Sequence, residues 1–178
     1  MGASGTAKWA GLCGGRVVIF LTVGSQMPFD RLVKAVDLWA GACASKRDVL
    51  AQIGDTGFRP QHMRYERALA PDKFKQACMH AEMIIGHAGM GTVLTAFELA
   101  KPLIVLPRHG AKQETRNDHQ VATARWLAKR HGVWVAWEVE DLPALIDGVI
   151  ASPVGDVPKP SFAEPRLLAA IRNIIISD

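Results

Sequence analysis

Six consecutive residues, His87-Ala88-Gly89-Met90-Gly91-Thr92, lie between an apolar strand-like run at 83–86 and an amphipathic helix-like run at 90–100. A helix start of this kind leaves its first backbone N–H groups unpaired and carries the positive end of the helix macrodipole. It can therefore hold a diphosphate without a metal. Gly89 and Gly91 allow close approach of the anion. The spacing matches neither the P-loop, which needs Gly-Lys-Ser/Thr, nor the Gly-x-Gly-x-x-Gly dinucleotide fingerprint. The competing reading is a helix start that needs glycine only for packing.

The surrounding sequence must position this motif. The apolar run at 17–23 ends in Gly24-Ser25-Gln26, after which Pro28 opens a helix with Leu32, Val33, Val36 and Trp39 on its apolar face. A second strand is predicted at 48–53, a short one near 63–69, and a helix at 71–80. The helix at 90–100 carries Val93, Leu94, Phe97 and Leu99 as its apolar face, and Lys101-Pro102 ends it before an apolar strand at 103–106. A polar loop at 107–116 follows, and Asn117 or Asp118 caps the next helix. The remainder reads as a strand at 133–137, a helix at 141–150, a Pro-rich linker at 152–165 and a final apolar helix at 162–176. Apolar strands alternating with helices predict an α/β, doubly wound parallel sheet with a Rossmann-like arrangement. In such sheets ligands bind at the carboxyl ends of the strands. The loops 24–26, 87–92 and 108–120 all leave strands at that edge, so they define one cleft.

With 178 residues and 49% hydrophobic content the chain accommodates one ordinary domain. Residues 1–15 read as a flexible tail, and 16–178 as a single α/β domain. The net charge of +4 is mild, and the basic residues are scattered rather than interleaved with aromatics, which argues against nucleic acid. Cys13, Cys43 and Cys78 have no C-x-x-C spacing, so neither a disulfide framework nor a zinc site is indicated. No apolar run approaches the roughly 18 residues of a membrane span, and the start lacks a secretory pattern. It does match the short, loose N-myristoylation pattern. A cytosolic protein is expected.

Taken with its three loops in order, the chain resembles, over roughly residues 16–150, the donor-binding C-terminal half of GT-B glycosyltransferases of family 28. Val23-Gly24-Ser25-Gln26 with Phe29-Asp30-Arg31-Leu32 resembles the first loop of that half, His87 to Thr92 its diphosphate loop, and Asn117-Asp118-His119-Gln120 its donor-sugar motif. More narrowly, the chain is similar to single-domain catalytic subunits of two-part enzymes, those of the dolichol pathway and of bacterial capsule and exopolysaccharide synthesis. The resemblance implies a UDP-sugar contacting Gly24, Ser25 and Gln26, with its diphosphate on the amides around Gly89, Met90, Gly91 and Thr92. His119 and Gln120 meet the sugar hydroxyls, while Asn117 and Asp118 shape the loop. Asn117-x-x-Gln120 also reads as a capping box, and the two roles are compatible. Arg108, Lys112 and Arg116 offer charge near the leaving diphosphate, although a solvated polar loop explains them equally. His87 orients the loop, contacts phosphate or transfers a proton. Where related two-domain enzymes carry a ribose-binding glutamate this chain has Thr95, and the nearest carboxylate, Glu98, reads as a surface residue.

No Asp-x-Asp metal motif is present, and oriented amides can do a metal's electrostatic work, so metal-independent, inverting transfer with no cofactor is expected. The general base is not identifiable in the chain. The resemblance puts it on a membrane-associated, acceptor-binding partner subunit that presents a lipid-linked saccharide, with this chain held at the cytoplasmic face of the membrane through that partner. The apolar helix at 162–176 docks on the partner or on its own domain. A non-catalytic nucleotide-sugar-binding module that regulates a separate transferase is the second reading. A UDP-sugar epimerase would need both halves on one chain, and the six histidines have no zinc-binding spacing.

Overall fold

Strands apolar at every position need cover on both faces, and the fold provides it. The structure, a computed structural model, describes residues 18–25, 27–42, 47–115 and 119–151. Within them the elements run β1 (Val18–Thr22), α1 (Asp30–Ala42), β2 (Asp48–Gln52), β3 (Arg64–Glu66), α2 (Pro71–His80) and β4 (Met83–His87). They continue with α3 (Met90–Glu98), β5 (Leu103–Leu106), α4 (His119–Leu127), β6 (Val133–Val135) and α5 (Leu142–Ala151). The six strands form one parallel sheet in the order β3-β2-β1-β4-β5-β6. This is the expected doubly wound arrangement. Its direction of winding reverses between β1 and β4, where Leu21 pairs with Ala51 on one side and Ile85 on the other. Crevices at such reversals are where these sheets bind ligands.

Alternation along β1 shows the two-sided burial directly. Ile19 and Leu21 join Val33, Val36, Trp39, Ile104 and Ile146 in the core beneath α1 and α5. Phe20 points the other way, into a core with Ile84, Val93, Ala96, Val105 and Leu127 beneath α2, α3 and α4. Trp39 donates its indole N–H to Asp147 at 3.1 Å, tying α1 to α5, and Phe20 meets the edge of Phe74 with ring centres 5.4 Å apart.

Several element ends differ from the sequence expectation, β3 most of all, which spans Arg64–Glu66 instead of 63–69, and three of the differences have a clear local reason. α1 starts at Asp30 rather than Pro28, with the Phe29 carbonyl accepting from the N–H groups of Leu32 and Val33. α3 stops at Glu98 because Ala100 turns left-handed at φ +49°, and Ala100 and Lys101 return their N–H groups to Phe97 and Ala96. That is a Schellman closure with alanine in the usual glycine position. Small residues, not the large ones, face the sheet from α3: Thr92, Val93 and Ala96 are buried, while Leu94, Phe97 and Leu99 are half-buried. β6 is shorter than 133–137, because Trp137 and Glu138 give their N–H groups to Asp141 in a capping box. The N-terminal tail, the linker and the expected helix at 162–176 lie outside the described residues.

Candidate functional site

The β4–α3 junction forms the centre of the site. Gly89 precedes α3 in an extended conformation (φ −89°, ψ 135°), and no side chain caps the helix. The Gly89 carbonyl receives the Val93 N–H at 3.2 Å. The N–H groups of Met90, Gly91 and Thr92 therefore precede the first intrahelical bond and have no helical acceptor. A Cβ built on Gly91 meets nothing within 4 Å. Glycine costs about 1 kcal/mol relative to alanine inside a helix, and packing gives no reason for it here. The free space over Gly91 suits close approach of a ligand.

Gly89 has a different reason to lack a side chain. The imidazole of His87 is wedged between Gly24 and Gly89: a Cβ on Gly24 would lie 2.6 Å from its Cε1, and one on Gly89 would overlap its Nε2. Gly24 also adopts φ +78°, which favours glycine. Burial, reinforced by the positive charge of Arg108, lowers the His87 pKa from 6.5 to about 4, so the ring is neutral at pH 7. Its Nδ1 is buried without a hydrogen-bond partner among the described residues. Gly89→Ala is expected to cost about 1–3 kcal/mol by overpacking. Adding His87→Ala should cost less in that background than in the wild type. Urea unfolding of the four proteins in the cycle measures this coupling, and additive losses would mean that the two residues do not press on each other.

A cluster of cations ties the loop after β1 to the loop after β5. The Arg108 guanidinium donates from one terminal nitrogen to the carbonyls of Val23 and Met27, both at 2.7 Å. The other donates to the carbonyls of Pro28 and Glu114, both at 2.9 Å. Its Cζ lies 4.6 Å from the centre of the buried Phe29 ring, and the residue is 3% exposed. Arg31 grips both oxygens of Glu114, at 2.7 and 3.0 Å, and also the Pro107 carbonyl. Burial raises the Glu114 pKa, but the hydrogen bonds from Arg31 and the His109 N–H outweigh it and hold the carboxyl below its usual value. The sequence expectation for Arg108 is corrected in this respect: it lines the cleft, yet both terminal nitrogens are taken up by carbonyls instead of facing a diphosphate. Lys112 turns to Glu138 at 3.2 Å and does not line the cleft.

These loops surround a cavity of about 620 Å³ at the carboxyl edge of the sheet. Of the predicted site residues, Gly24, Ser25, His87, Gly89, Met90, Gly91, Thr92, Arg108 and Gln120 line it. Gln120 is held by its Oε1, which accepts the Arg108 backbone N–H at 3.3 Å. His119 is exposed at the start of α4 and is not part of the lining. Gln26, Arg116, Asn117 and Asp118 lie outside the described residues. Thr95 lines the cavity while donating to the Gly91 carbonyl at 2.9 Å, and Glu98 is exposed away from it. Sequence reasoning missed an apolar wall, Leu69, Pro71 and Phe74, and the polar floor made by Gln52. Gln52 is positioned by the Thr22 hydroxyl at 3.0 Å, and that hydroxyl in turn accepts the Gly24 N–H at 3.1 Å. Pro71 directly after a strand and a polar turn was the available signal for the wall, since it opens a helix at the same sheet edge.

The arrangement therefore combines oriented amides at a helix start, an apolar wall and the carboxamides of Gln52 and Gln120 around one cavity. The model of the glycosyltransferase family 28 C-terminal domain matches residues 18–152. The human UDP-N-acetylglucosamine transferase subunit ALG13 is 26% identical over 153 residues, 76% of this chain and 12% of the human protein. The Yarrowia lipolytica subunit of the same name is 22% identical over 143 residues, 71% of this chain and 68% of its own. Among solved structures, Acinetobacter baumannii MurG superimposes with a TM-score of 0.64 at 17% identity, covering 93% of this chain and 51% of MurG. The calicheamicin glycosyltransferase CalG4 does so with a TM-score of 0.55 at 17% identity, over 78% of this chain and 36% of CalG4. The fold is thus that of one half of a GT-B glycosyltransferase, and the chain belongs to the family of glycosyltransferase family 28 C-terminal domains.

Proposed function

We propose that this chain is the donor-binding subunit of a UDP-sugar-dependent glycosyltransferase that transfers a hexosyl group to a lipid-linked saccharide. The observation that carries this reading is the uncapped start of α3, with open space over Gly91, facing the cavity. In this reading the diphosphate rests on the amides of Met90, Gly91 and Thr92, beside Gly24 and Ser25. The uracil lies against Leu69, Pro71 and Phe74, and the sugar extends toward Gln120, with Asn117, Asp118 and His119 next to it. Amides already aimed at the departing diphosphate stabilise its charge without reorganising, so no metal is required; in the proposed reaction the acceptor hydroxyl displaces UDP directly, which inverts the anomeric centre.

The acceptor side is supplied by a membrane-associated partner, and this chain is held at the cytoplasmic face through it. Among the described residues, Glu114 is the one carboxylate lining the cavity, and it is locked by Arg31. His87 is wedged between two glycines. Neither stands free as a general base, which supports placing the base on the partner.

Calorimetry with UDP, UDP-glucuronate, UDP-galactose and UDP-N-acetylglucosamine, with and without EDTA, tests the reading. Binding that survives EDTA is expected. Failure of UDP and all three UDP-sugars to bind would overturn the proposal, and strict dependence on Mg²⁺ or Mn²⁺ would overturn its metal-independent form.

A further inference from the structure

Arg108 joins the β1 loop, the β5 loop and the start of α4 without offering its terminal nitrogens to the cavity. It bonds three carbonyls of the β1 loop and one of the β5 loop, lies over Phe29, and holds Gln120 through its own backbone N–H. The carbonyl of Val23 immediately precedes Gly24, which abuts His87, which abuts Gly89 at the start of α3. A continuous line of contacts thus runs from the guanidinium to the uncapped amides. Resting on the UDP-sugar reading above, we propose that Arg108 is the positioning residue of the donor site, setting the β1 loop at the separation from α3 that a diphosphate requires and aiming Gln120 at the sugar.

The chemistry requires arginine in particular. A planar guanidinium presents five N–H donors in a fixed fork, so two nitrogens can each serve two carbonyls on different loops. A lysine ammonium has three donors on one point and no flat face to lie on Phe29. With Arg108→Lys, at least one loop carbonyl loses its partner and the β1 loop is freed from its register.

The test uses the full chain and two readouts. One is UDP affinity by calorimetry; the other is the His87 imidazole signal by NMR without ligand, which reports whether Gly24 and Gly89 still flank the ring. Arg108→Lys is expected to weaken UDP binding tenfold or more and to move the His87 signal, while unfolding remains cooperative. Phe29→Leu, which keeps the arginine and removes its aromatic support, should weaken binding about threefold and move the same signal in the same direction. If Arg108→Lys does not fold, Phe29→Leu decides on both readouts. A folded variant that has lost only stability, with UDP affinity within twofold of wild type and an unmoved His87 signal, overturns the proposal. Should wild type itself fail to bind UDP, the UDP-sugar reading falls and the clamp is judged on the His87 signal alone: movement supports it, and no movement overturns it.

Discussion

Gly91→Asp is expected to abolish UDP binding, by a hundredfold or more, in a protein at least as stable as the wild type. The two effects have the same origin. Position 91 is the second residue of α3, and a side chain there meets nothing within 4 Å, so the substitution introduces no clash. Leaving glycine recovers part of its helical cost of about 1 kcal/mol. A carboxylate in the first turn adds roughly 0.3–1 kcal/mol through the helix dipole. That same carboxylate occupies the amides to which the diphosphate is assigned, and it repels what it does not displace. A hundredfold loss corresponds to about 2.7 kcal/mol, within reach of one misplaced anion in a partly enclosed site. Gly91→Asn, of equal size and without charge, separates crowding from electrostatics. Urea unfolding and UDP calorimetry on the three proteins provide the measurement. Undiminished affinity in Gly91→Asp would move the diphosphate away from α3.

Acid should weaken the fold through His87. Its pKa is about 4 in the folded chain against 6.5 unfolded, so folding favours the neutral ring. Above pH 6.5 both states are neutral and the ring contributes its full stability. As the pH falls from 6.5 toward 4, the unfolded chain takes up a proton that the folded chain refuses, and stability is lost. Below about 4 both states are protonated and the loss levels off. The window of two and a half units corresponds to roughly 3 kcal/mol. Carboxylates titrate in the same range, so the comparison is with His87→Gln, which removes this one group. Urea unfolding at pH 7.5 and 4 should show a fall in stability steeper for wild type than for His87→Gln by about 3 kcal/mol. Equal falls would mean that the ring is not held neutral.

Much of the frame was legible because parallel strands buried on both faces leave an unmistakable pattern. The apolar runs ending at Val23, at Gly86 and at Leu106 were each followed by polar or glycine-rich loops, and those loops do meet at one sheet edge. What a linear reading does not contain is the direction in which a long side chain turns. Arg108 sits in the right loop, yet it points beneath the β1 loop, where the carbonyls of Val23, Met27 and Pro28, together with that of Glu114 from its own loop, accept from it. The apolar wall was missed for a related reason. Leu69 and Phe74 have the composition of core residues, and only the packing of α2 beside α3 turns them toward the cleft. His87 was left among three roles by its residue type; its position wedged between two glycines favours holding the loops over transferring protons.

The central place of β1 in the sheet has a consequence for how the chain is made. Its neighbours are β2, which follows soon after, and β4, which is synthesised only after β3 and α2. Until then a ribosome-bound chain presents the β4-facing edge of Ile19, Phe20 and Leu21 as unpaired backbone carrying large apolar side chains. Such an edge is a template for pairing with another nascent copy, and parallel pairing across so long a separation closes slowly. The β4-facing edge of β1 therefore stays open until residues 83–87 are free to pair with it, and that is the edge any early misassociation of the chain would use.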